Sequence, residues 1–416
     1  MTRVRVPCLC VLLAVTAAAC GGSPSTDESS DPGALAWDLA FEPLELPAPE
    51  GSGFPQLTAS ARGPILSWIE IGDEISLRFA ERTGDAWSET RTAATGEDWF
   101  ITTADVPSVL RLRDGTLLAY WYPTVDALLE AYNIEMAYSR DEGATWSAPF
   151  LPHHDGTSTQ HGFVTPFEMP GGGVGLVWLD GRDMELSTAP EGGTMAVYFT
   201  SFDSDWKQGD ETLVDERVCE CCQTSVAVSG DSVVAAFRDR NLQEIRDINV
   251  SRLEGGAWSP ARPVHVDRFH IEACPVNGPA LSARGDRVAV AWFTAPNEEA
   301  HAFAAFSEDG GRNWGEPIRL DEATTLGHVD IELLEDGTAV ASWMEFAGGR
   351  SRLMARRVDA SGARSDAMAI PGAERVSGYP RMTLANDELV MAWTANEDGG
   401  QRVRGAAASI GGAARP

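Results

Sequence analysis

Lysine is almost missing from this chain: Lys207 is the only one among 416 residues. Lys and Arg together number 32 against 62 Asp and Glu, for a formal net charge of −30. A chain so poor in positive charge cannot neutralise a phosphate backbone, which excludes general nucleic-acid binding. A basic membrane-surface helix is excluded on the same ground. Long apolar runs are missing too. None reaches the ~20 residues that span a bilayer, and no stretch keeps a convincing 3.6-residue apolar period. There is no Gly-rich lysine loop for phosphates, no H-E-x-x-H pair and no G-x-S-x-G elbow. Gly171-Gly172-Gly173, directly after Pro170, reads as a hairpin turn. Apolar side chains, by contrast, make up 43% of the residues, enough for a large core.

The first twenty residues read as an address. Arg3 and Arg5 precede an apolar run from Leu9 to Val15, and Thr16-Ala17-Ala18-Ala19 lead into Cys20-Gly21-Gly22. Small residues before a cysteine resemble the lipobox of bacterial lipoproteins. That resemblance implies an exported protein with a signal over 1–19, a lipidated Cys20 and a flexible tether over 20–36. The membrane is then met only through the lipid, at its periplasmic face or at the cell surface. Losing the signal removes two arginines and no acid, so 30 bases face 62 acids and the mature charge is −32. Export also places the remaining cysteines in an oxidising compartment.

The body, 37–410, is a repeat, with a short tail over 411–416. Short alternating strands recur between Gly, Pro, Asp and Asn turns, and each unit closes one strand on an aromatic. These aromatics are Trp68, Trp121, Trp178, Phe237, Trp292, Trp343 and Trp393, spaced 50 to 59 residues apart by subtraction. Arg113-Asp114-Gly115, Gly285-Asp286 and Glu335-Asp336-Gly337 supply hairpin turns just ahead of that strand. A second series, Trp87, Trp146, Trp206, Trp258 and Trp314, interleaves with the first. The period fits a four-stranded propeller blade. The chain is therefore expected to be an all-β propeller of seven four-stranded blades, with six as the alternative. The strand over 37–46 is expected to complete the last blade and close the ring.

The second series carries a signature. Ser139-Arg140-Asp141-Glu142-Gly143-Ala144-Thr145-Trp146 resembles the Asp box of sialidase-like (BNR-repeat) propellers at every defining position, and Ser307, Asp309, Gly311 and Trp314 repeat it with Asn313 for Thr. Decayed forms end at Trp87, Trp206 and Trp258. The box is structural: Ser and Asp bond turn amides, Gly supplies the special φ and Trp packs on the blade.

In a propeller the start of each innermost strand and the end of the second strand meet at one mouth. That rule gathers Arg182, Arg238 and Arg381. The family resemblance implies an arginine clamp for a sugar carboxylate, a Tyr379–Glu345 nucleophile pair, and Asp105 or Asp180 as acid. The family's Arg-Ile-Pro of the first blade is absent; Phe54-Pro55-Gln56 stands there. The leading expectation is a monomeric propeller that binds, and in the fuller reading hydrolyses, an acidic or other glycoside.

A second expectation is a copper or zinc site from Cys219, Cys221, Cys222 and Cys274 with His161 and His328. The same four cysteines also fit disulfides, with a bridge across the blade boundary and a local pair between Cys219 and Cys222 or the adjacent two, or a redox role. A third expectation is a non-enzymatic binding scaffold. His153-His154-Asp155, after Pro152, is a further possible ligand cluster, with the two histidines expected to be solvated in a surface loop.

Overall fold

The structure is a computed structural model that describes residues 35–37, 39–188, 192–397 and 400–410. The signal, Cys20 and the 411–416 tail lie outside the described residues. No helix among the described residues is long and apolar enough to cross a membrane.

Seven antiparallel sheets follow one another along the chain and form a seven-bladed propeller. The innermost strands are Gly53–Ala59, Ser108–Arg111, His161–Glu168, Ser225–Ser229, Ala280–Arg284, Thr325–Leu333 and Val376–Ala385. The second strands are Pro64–Ile71, Leu117–Trp121, Val174–Asp180, Ser232–Arg238, Arg287–Thr294, Ala339–Ala347 and Glu388–Glu397. A second strand lies between two neighbouring blades, so both its faces are covered. Val174–Asp180 is accordingly buried at every position, and such strands read as continuous apolar runs rather than as alternation.

The seven closing aromatics all sit on second strands and are all buried. Five of the indoles find carboxylates. Trp68 donates to Glu70, Trp178 to Asp180 and Trp343 to Glu345, each two residues further on the same face; Trp121 donates to Glu135 and Trp292 to Asp267. The second tryptophan series joins blades. Trp146 meets Phe79 of the preceding blade edge-on, Trp206 stacks on Tyr138 at 4.3 Å, and Trp258 meets Phe199.

Both complete boxes close as the motif predicts. Ser139 Oγ donates to Asp141 and accepts from the Gly143 amide, while Asp141 accepts from the amide and hydroxyl of Thr145. In the second box Asn313 donates to Asp309 from its amide and its side chain, so Asn reproduces both threonine bonds. Gly143 has φ +78°, and a Cβ there would meet Phe79 at 2.8 Å. Glycine is needed for its conformation and for the close approach.

At the ring's seam the N-terminal strand Glu42–Leu44 pairs antiparallel with Gly400–Ser409, the third strand of blade seven. Leu39 and Phe41 are buried there among Ile370, Met382, Met391 and Trp393.

Candidate functional site: the central channel and its mouth

Innermost-strand starts do pair with second-strand ends: Gly53 faces Ile69, His161 faces Asp180, and Thr325 faces Glu345. Each start has a bulge, with Phe54, Phe163 and His328 at φ of 57°, 51° and 49°. The bulge frees one amide, and the preceding blade caps it. Asp105 accepts from Phe163 N at 2.8 Å, and Asn277 accepts from His328 N at 2.7 Å. A Cβ at Gly162 or Gly327 would strike those caps at 2.2 and 2.3 Å. Glycine therefore follows where the neighbouring blade brings a polar side chain.

Beyond the bulges lies a cavity of about 380 Å³, lined by Gln56, Asp105, Tyr122, Asp330, Glu332 and Arg381 among others. Burial pushes Asp105 up to about 7 and Asp330 up to about 6, although the Arg381 charge opposes both shifts. Arg381 Nε is buried without a hydrogen-bond partner, and its guanidinium lies 5.6 Å from the centre of the Tyr379 ring. The cavity thus holds carboxyl groups that can donate or accept near neutrality and one arginine.

Glu332 is raised to about 8, first by burial and then by the Asp330 charge. A carboxyl raised in the folded state stabilises the fold while protonated. That contribution is complete below the ordinary value of 4.5 and is lost as pH rises through 8. Glu332→Gln stays neutral. Between pH 5 and 9 its stability should gain on the parent by on the order of 3 kcal/mol, read from urea midpoints at each pH. A difference that does not change with pH would refute the protonated Glu332.

The structure does not assemble the expected clamp. Arg182 is engaged by Asp180 at 2.7 Å and Glu211 at 2.6 Å, and covers the Tyr198 ring at 4.0 Å. Arg238 is fully buried and donates to three carbonyls, of Asn277, Arg246 and Phe293. Only Arg381 lines the cavity. The nucleophile pair is not formed either: Tyr379 stacks on His328 at 3.9 Å, while Glu345 accepts from Trp343 and from the Glu322 amide. Asp180 is taken by Trp178 and Arg182; Asp105 faces the cavity.

The Cys/His set divides into four. Cys221 and Cys274 form a disulfide, while Cys219 and Cys222 are buried thiols 3.0 Å apart. His328 holds the Gly378 carbonyl through Nδ1, and burial draws it down to about 4. His161 lies parallel to His153 at 3.8 Å, and both aim a ring nitrogen at Asp155 Oδ2, at 3.0 and 3.6 Å. His153 is 4% exposed, contrary to the solvated loop expected, because the loop folds in beside the start of blade three; His154 stays exposed. His153 Nε2 accepts from the Ile134 amide at 3.2 Å. Its Nδ1 therefore carries the proton and faces Asp155 at 3.6 Å, leaving no lone pair there for a metal.

Sequence reasoning missed Glu332 and Tyr122. Glu332 could have been found, since it lies two residues beyond Asp330 on the same strand face.

The sequence profile of the BNR repeat-like domain family matches residues 57–391. Among solved structures, that of polysaccharide lyase Uly1 superposes with a TM-score of 0.54 at 10% identity, covering 86% of this chain and 90% of its own. The phage phi92 endosialidase superposes with a TM-score of 0.50 at 8% identity, covering 90% and 70%. At these identities the likeness is one of fold. No curated protein matches the chain.

Proposed function

The chain belongs to the BNR repeat-like domain family, and from that premise we propose that it is a monomeric carbohydrate-binding propeller whose ligand is an acidic sugar held in the central cavity. The observation that carries this reading is Arg381, a cavity-lining arginine with a buried, unpartnered Nε. Arg381 forms no salt bridge among the described residues, so its guanidinium can pair with a ligand carboxylate, and protonatable Asp105 and Asp330 suit hydroxyl groups. The solved structures named a polysaccharide lyase and an endosialidase make acidic carbohydrates the first class to test. Binding is favoured over hydrolysis because Tyr379 stacks on His328 while Glu345 is held by the Trp343 indole, so the two do not pair.

Titration calorimetry with a panel of acidic mono- and oligosaccharides should find a ligand. Arg381→Ala should weaken it about tenfold or more, the loss of one charge-assisted contact. If no panel member binds, or the variant binds equally well, the reading fails. Turnover of fluorogenic glycosides would extend it to hydrolysis.

We also propose that the propeller is exported and held by a lipid on Cys20. The Cys221–Cys274 bridge agrees with an oxidising compartment. Cys20→Ala should move the protein from the membrane fraction to the soluble one; continued membrane retention would reject the anchor.

A further inference from the structure

Four sulfurs stand in graded exposure where blade four meets blade five. Cys274 is exposed, Cys221 is half-buried, and Cys219 and Cys222 are each 1% exposed. Cys219 Sγ lies 3.0 Å from Cys222 Sγ and 3.9 Å from Cys221 Sγ, which is already bonded to Cys274. The sulfurs of Cys219, Cys221 and Cys274 lie within 4.8 Å of one another. A buried dithiol thus lies beside a bridge whose far end reaches solvent, and a side-chain rotation has to bring Cys219 behind Cys221 before it attacks.

We propose that these four cysteines form a thiol–disulfide relay, through which the buried Cys219/Cys222 pair reduces an external disulfide that meets only Cys274. Two neighbours prepare the attack. Arg246, itself buried, donates to Cys219 Sγ at 3.3 Å, and the Arg238 guanidinium lies close enough to favour its charge. Cys219 is drawn down to about 6, chiefly by the hydrogen bond from Cys222, while burial pushes Cys222 up. Cys219 is therefore the thiolate of the pair and Cys222 keeps the proton. The thiolate is the nucleophile of disulfide exchange.

The relay balances within the chain. Cys219 thiolate attacks Cys221 Sγ, and the Cys221–Cys274 bond breaks with its electron pair leaving on Cys274. Cys222 then attacks Cys219 Sγ and expels Cys221, and the Cys222 proton passes to the released Cys221. The products are a Cys219–Cys222 disulfide, a Cys221 thiol and an exposed Cys274 thiolate. That thiolate attacks one sulfur of an external disulfide, RS–SR, releasing RS⁻ and leaving Cys274–S–S–R. Cys221 resolves the adduct, restoring the Cys221–Cys274 bond and releasing the second R group as a thiolate, with the Cys221 proton taken up by one of the two. One external disulfide is reduced to two thiols as the Cys219/Cys222 dithiol is oxidised.

The test starts from the Cys8→Ser/Cys10→Ser/Cys20→Ser chain, which keeps the other four cysteines, brought to two thiols per chain, the number of free cysteines among the described residues. Native protein is mixed with 5,5′-dithiobis(2-nitrobenzoate). The relay predicts release of about two equivalents of thionitrobenzoate with no adduct retained, ending in both the Cys219–Cys222 and Cys221–Cys274 bridges by peptide mapping. The double variant Cys221→Ser/Cys274→Ser leaves the buried pair without an outlet and should react about tenfold or more slowly. Reaction of the variant at the parent rate, or absence of reaction in the parent, would overturn the proposal. A measurement on the parent alone stands if the variant does not fold. Before the probe is added, acid quenching and maleimide labelling should find some chains labelled on Cys221 and Cys274. Label confined to Cys219 and Cys222 would refute the relay.

Discussion

Arg238→Ala is expected to lower the stability of the propeller by about 3–5 kcal/mol, the largest effect of any single substitution considered. Arg238 is 1% exposed and forms no salt bridge among the described residues. Its Nε holds the Asn277 carbonyl at 2.8 Å, and its two terminal nitrogens hold those of Arg246 and Phe293 at 2.6 and 2.7 Å. Arg246 follows the second strand of blade four; Asn277 and Phe293 belong to blade five. One side chain therefore ties two blades together just below the mouth. Truncation leaves three buried carbonyls short of a donor and opens a void, and an unmade buried bond costs more than a made one gains. Arg238→Lys should recover only part of the loss, because an ammonium cannot reproduce three divergent donors. Urea midpoints of the three proteins measure this. A midpoint for Arg238→Ala equal to that of the parent would mean that blades four and five do not depend on the tie.

That arginine also marks where the sequence stops being informative. The ring itself was legible because a blade must fill the gap to its neighbour with a bulky second-strand side chain. The demand recurs once per blade and leaves Trp68, Trp121, Trp178, Phe237, Trp292, Trp343 and Trp393 at regular intervals. The boxes were legible because their bonds are local: Asp141 and Thr145 are four residues apart and bond directly. The mouth was legible in position, since strand starts and ends must meet there. The partners of its side chains were not. Arg182 sits at the mouth, but its charge is engaged by Glu211, 29 residues on, and that contact depends on how the blade-three loops fold back.

Two readings could have been sharper. Trp68-Ile69-Glu70, Trp178-Leu179-Asp180 and Trp343-Met344-Glu345 share a spacing that puts indole and carboxylate on the same strand face. A recurring Trp-x-acid marks Asp180 and Glu345 as indole acceptors before any catalytic role is considered. Cys221 and Cys274 behaved as a bridge across a blade boundary, but the expected local bridge is a pair of thiols. Chain spacing cannot separate those states, because both place Cys219 beside Cys222.

The seam of the ring carries the other large expectation. Deleting residues 35–46 should cost on the order of 5 kcal/mol and promote aggregation. Leu39 and Phe41 are 6% and 4% exposed, in one cluster with Ile370, Met391 and Trp393. Burying each contributes about 1.5–3 kcal/mol. Glu42, Pro43 and Leu44 pair with Ala407, Ala406 and Gly405, so removal bares the edge of the longest class of strand in the ring, ten residues from Gly400 to Ser409. A long unpaired edge beside an uncovered apolar patch is a template for association between chains. Leu46 adds to this, since its methyl groups lie where a Cβ on Gly405 would stand, at 2.9 Å. The deletion should lower the urea midpoint and add oligomers in light scattering, and a synthetic peptide of residues 35–46 should reverse both. An unchanged midpoint with a monodisperse product would mean that blade seven holds with three strands and that the N-terminal strand does not secure the ring.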